Sequence, residues 1–123
     1  KLKKALCIKL NDMTPKEFVE GFYKEKQELL NEYLSPDSQT EVSTLIKSMR
    51  LNKEQSEILE KLLDSSFTDI FYSILLGLDG CTSIGGLTQQ QFTVLDENNN
   101  QVCGEEHLGE VEALAYEYFH EKG

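Results

Sequence analysis

Between Leu51 and Gly80 the apolar positions recur as Ile58, Leu59, Leu62, Leu63, Phe67, Ile70, Phe71, Ile74, Leu75 and Leu78. Steps of three and four, with adjacent pairs widening the stripe, predict one amphipathic helix. Asn52 suits the N-cap, and Gln55 three residues on can reach back to close a capping box. Gly80 is a ready left-handed stop. About 27 residues at 1.5 Å each span about 40 Å. Such a helix is expected to be the central element, with Leu62 and Phe71 in the core.

The same reading places the other elements. Thr14-Pro15-Lys16-Glu17 opens a helix, with Thr14 as cap, Pro15 in the first turn and Glu17 closing the box. Its stripe of Phe18, Phe22, Leu29 and Tyr33, flanked by Val19, Tyr23, Leu30 and Leu34, carries it to about Leu34. Ser35-Pro36-Asp37 ends it. Ser38 and Glu41 form a second capping box before Val42, Leu45, Ile46 and Met49, a short helix ending near Arg50. The short connections imply antiparallel neighbours. Residues 1–12 fit either period and lean to helix.

Beyond Gly80 the pattern changes. Cys81–Gln91 is polar and glycine-containing, a loop. In Gln91–Asp96 the residues Phe92, Val94 and Asp96 alternate with Thr93 and Leu95, as in a strand. Asp96–Asn100 is turn chemistry, because Asn tolerates positive φ. Gln101–Cys103 returns as a short strand. Leu108, Val111, Leu114, Ala115, Tyr118 and Phe119 then predict one helix over Glu105–Lys122. The expected fold class is mostly α with minor β: an antiparallel helical bundle around a long central helix, with a small β-hairpin before the C-terminal helix. It is read as one domain over 1–123, its helical part about 14–80 and the loop, hairpin and last helix about 81–122.

Charge changes this picture most. The net charge is −10, yet residues 1–61 hold 11 basic and 11 acidic side chains. Residues 62–123 hold 11 acidic side chains against Lys122 alone, so the whole imbalance sits there. Such a field repels nucleic acid and anionic membranes and attracts basic surfaces. No apolar run approaches the roughly 18 residues of a membrane span, and Lys9 interrupts the apolar start of the chain. Cys7, Cys81 and Cys103 are an odd, widely spaced set, which fits free thiols and a cytoplasmic location.

Candidate chemistry is thin. Asp96–His107 carries Asp96, Asn98 and Asn100 as a calcium loop does, but Gln101 replaces the turn glycine and His107 the bidentate glutamate. Cys103 and His107 make at most one loose ligand pair, where structural zinc sites use two tight ones. Cysteine catalysis needs a cation or a helix N-terminus near the thiol to lower its pKa, and no Lys or Arg is local. No cofactor or metal is expected, and Cys81 and Cys103 are read as buried or half-buried thiols. Gly77, Gly80, Gly85 and Gly86 do not form a phosphate loop.

The sharpest feature is the last helix. Glu106, Glu110, Glu117 and Glu121 share one row, while Glu105 and Glu112 lie on a strip near Tyr116. A stable exposed helix usually intersperses cations to relieve such repulsion. These seven residues are the candidate docking face for a basic protein, with Tyr116 as the aromatic contact. In size and acidity the chain is similar to bacterial immunity and antitoxin proteins. That resemblance implies a non-enzymatic inhibitor that covers the positive site of a basic, often nucleic-acid-cleaving toxin. Two alternatives stand beside it: a small ligand-binding domain or enzyme using the loop Thr82–Gln91, and a structural or regulatory subunit with an apolar docking face.

Overall fold

The computed structural model describes residues 12–122. The lean to helix in residues 1–11 falls outside them. The fold is mostly α with a small antiparallel sheet, in the order α1 (Pro15–Leu34), α2 (Glu41–Ser48), α3 (Lys53–Leu78), β1 (Val94–Leu95), β2 (Gln101–Cys103) and α4 (Glu110–Tyr116). A 3-10 turn, Glu105–His107, precedes α4, and a π-helical segment, Glu117–Glu121, extends it.

The caps explain the helix boundaries. The Glu17 N–H donates to Thr14 Oγ1 and the Thr14 N–H to Glu17 Oε1, both at 3.1 Å, so the first capping box forms as read. The Asn52–Gln55 box closes likewise, at 2.8 and 3.0 Å. The second box is different. Thr40, not Ser38, caps α2 and accepts from the Ser43 N–H at 3.1 Å. Ser38 sits two residues earlier, its hydroxyl donating to Thr40 Oγ1, so Glu41 becomes the first residue of the helix. At the end of α3, Cys81 N–H bonds to Leu76 O and Gly80 N–H to Gly77 O, with Gly80 at φ +71. That is the Schellman pattern, and glycine takes the left-handed position without strain.

The hairpin pairs Val94 with Cys103 and Leu95 with Gln101 across a bulge. Residues 92–96 alternate half-buried and exposed, as the strand pattern requires. Asn99 takes φ +65, and Asp96 Oδ1 accepts from the Asn98 and Asn100 N–H groups. The Asn100 side-chain amide, which donates to Asp96 Oδ2 at 2.9 Å, and after it these backbone bonds hold the Asp96 carboxyl below its usual pKa.

The contacts group the chain into two compact units, Phe22–Phe71 and Lys1–Gly21 with Tyr72–Gly123. Within Phe22–Phe71, Phe22 meets Phe71 at 6.0 Å between ring centroids, while Leu34 shares a cavity with Glu57 and Glu60. The two long helices therefore run antiparallel there. Tyr33 stands edge-on to Phe67, and the Lys26 ammonium, 1% exposed, pairs with Asp64 at 2.8 Å.

In the other unit the buried hydrophobic side chains are Val19, Leu75, Val102, Cys103, Val111, Ala115, Tyr118 and Phe119, with Asp79 buried beside them. The core is thus built on α4 and β2. The expectation that Leu62 lies in the core is corrected. Leu62 is 59% exposed, Ile58 60% and Ile70 55%. α1 covers the neighbouring positions Phe67 and Phe71 and leaves this row open. The hydrophobic stripe of α3 is wider than the face its neighbours cover.

Candidate functional site

The seven side chains of the candidate face all fall in the unit that contains α4, but not on one helix. Gly109 takes φ +78 and caps α4, so Glu105 and Glu106 belong to the preceding 3-10 turn. This corrects the expected continuous helix over Glu105–Lys122 and the row running from Glu106 through Glu110, Glu117 to Glu121. The same break leaves Leu108 64% exposed instead of in the core. Its physical cause lies at the far end of α3. Asp79 is 4% exposed, and its Oδ2 accepts from the Glu112 N–H at 3.0 Å. A carboxylate at that place satisfies an orphan donor and complements the positive helix end. The helix therefore starts where Asp79 caps it. Nothing in the local sequence marks Asp79 as a cap, because it acts from 33 residues away.

Several of the glutamates have partners. The Glu106 N–H donates to Gln101 Oε1 at 2.7 Å, and Gln101 Nε2 donates to Glu106 Oε2 at 3.2 Å. His107 Nδ1 pairs with Glu110. Lys122 lies 3.9 Å from Glu117. Glu105 and Glu121 are exposed.

The structure adds Cys81, Tyr72 and His120 to Glu112 and Tyr116, which the sequence had placed near one another. Cys81 donates its thiol proton to Glu112 Oε2 at 2.5 Å. Tyr72, near the end of α3, stands edge-on to His120 with ring centroids 4.4 Å apart. Tyr116 lies one turn before His120, their rings 5.5 Å apart, and is 52% exposed. Glu112, Tyr116 and His120 follow at steps of four, which sequence periodicity shows. Tyr72 and Cys81 reach them only through tertiary packing.

The electrostatics of the patch are negative throughout. Burial, the bond to Glu112 and the nearby Asp79 and Cys103 push the Cys81 thiol up to about 12. Burial and then Asp79 push Cys103 up to about 11. Burial and Glu112 also raise Tyr72. Both thiols are therefore protonated at neutral pH and poor nucleophiles. As read from the sequence, Cys103 is buried and Cys81 half-buried. Cys103 donates to Leu78 O at 3.4 Å. Among the described residues no group of three or more His, Cys, Asp or Glu side chains is placed to hold a metal ion, and no helix is long and apolar enough to cross a membrane.

The loop Thr82–Gln91 spends much of its polarity on its own anchorage. Gln89 Nε2 donates to Gly80 O at 2.8 Å, and Gln91 Nε2 to Leu78 O and Phe92 O at 3.2 and 3.0 Å. The bonds to Gly80 O and Leu78 O satisfy carbonyls at the end of α3. Ile84 lies so close to Gly77 that a Cβ there would meet its side chain. Open cavities occur elsewhere. One of about 400 Å3 is lined by Gln27, Leu30, Asn31, Leu34, Glu57 and Asp64 among others. Another of about 310 Å3 lies between the Asp12–Pro15 segment and Asn99–Gln101.

Comparison with protein-family models, with curated proteins and with solved structures finds no match for this chain.

Proposed function

We propose that the chain is a non-enzymatic protein-binding module that engages a basic protein surface through the carboxylates and aromatic rings of α4. The observation that carries this reading is the patch of Glu112, Tyr116, His120 and Tyr72, in which an exposed tyrosine stands among carboxylates and Lys122 is the only cation from Leu62 onward. A Lys or Arg side chain docking there finds a carboxylate for its charge and a ring face for cation–π contact. The raised thiol pKa values support a binding role over cysteine chemistry. A basic toxin, of the kind that immunity and antitoxin proteins cover, is one partner class that such a surface suits.

The test is affinity capture at low salt on the immobilised protein, with elution by a salt step. Beside it stands an immobilised variant carrying Glu112→Lys and Tyr116→Ala. A basic protein held by the native chain, released by salt and not held by the variant is the expected result. Equal retention by both, or none by the native chain, would sink the proposal.

A further inference from the structure

We draw no further inference here: the strongest candidate, the open cavity of about 310 Å3 between the Asp12–Pro15 segment and the Asn99–Gln101 turn, sets an acidic pair, Asp12 and Glu106, beside the start of α1, but the Asp12 oxygen that lacks a hydrogen-bond partner among the described residues is shut off from solvent and so from the cavity, and nothing in the structure shows what fills it.

Discussion

At the scale of single residues, environment reassigns chemistry that the sequence left open. Cys81 is a thiol with a carboxylate as its acceptor, and both that bond and burial keep its proton on. Replacing Glu112 by Gln removes the charge and keeps a hydrogen-bond acceptor. Alkylation of Cys81 by iodoacetamide at pH 8 should therefore be slow in the native chain and at least several-fold faster in Glu112→Gln. Peptide mapping of the labelled product reads it out, and equal rates would show that Glu112 does not govern the thiol.

Tyr118 offers a pH test. Its hydroxyl donates to Glu20 Oε2 at 2.7 Å, and that bond, with burial, pushes its pKa up to about 12. The unfolded value is about 10. A raised folded pKa means that the stabilisation is complete below pH 10 and is lost as pH climbs through 12. The stability gap between the native chain and Tyr118→Phe should be constant below about pH 10 and should close toward pH 12, as urea melts across that window will show. A gap that widened over that range would reverse the assignment.

At the scale of elements, burial sorts two leucines that the helical pattern of α3 treats alike. Leu75 is fully buried, and Leu75→Ala should cost about 2–5 kcal/mol through the cavity it leaves. Leu62→Ala should cost under about 1 kcal/mol, since exposed positions tolerate truncation. Denaturant midpoints compare the two. The capping of α4 by Asp79 gives a second contrast. Asp79→Ala leaves the Glu112 N–H without its acceptor and should cost about 1–2 kcal/mol. Asp79→Asn retains an acceptor oxygen and should cost less. Equal losses in thermal melts would place the value of Asp79 in its charge and not in its capping bond.

At the scale of the whole molecule, the one-sided charge sets how a partner is met. Reversing Glu110 and Glu117 to Lys should leave folding intact, because the exposed His107–Glu110 and Lys122–Glu117 pairs that it removes are each worth under about 1 kcal/mol. With a basic partner in hand, the association rate should fall for the double variant. The difference should shrink as salt rises, since screening acts within about 8 Å at physiological ionic strength. Stopped-flow mixing at two salt concentrations checks it, and unchanged rates at both would reduce these carboxylates to a solvated surface.

What the sequence determined by itself was local. The Thr14–Glu17 and Asn52–Gln55 boxes, the Gly80 stop, the β2 strand and the Asp96–Asn100 turn all formed as read, because each rests on bonds spanning a few residues. The mostly α class follows from the period of the stripes. Tertiary structure decided the rest. Periodicity shows which residues are apolar but not which of two adjacent rows a neighbouring helix will cover, so the exposure of Leu62 and Ile70 was not legible. The start of α4 depended on the buried carboxylate of Asp79, and the patch around Glu112 on Tyr72 and Cys81. Those partners lie 30 or more residues away in the chain, where no local pattern can report them and only the closing of the fold brings them into contact.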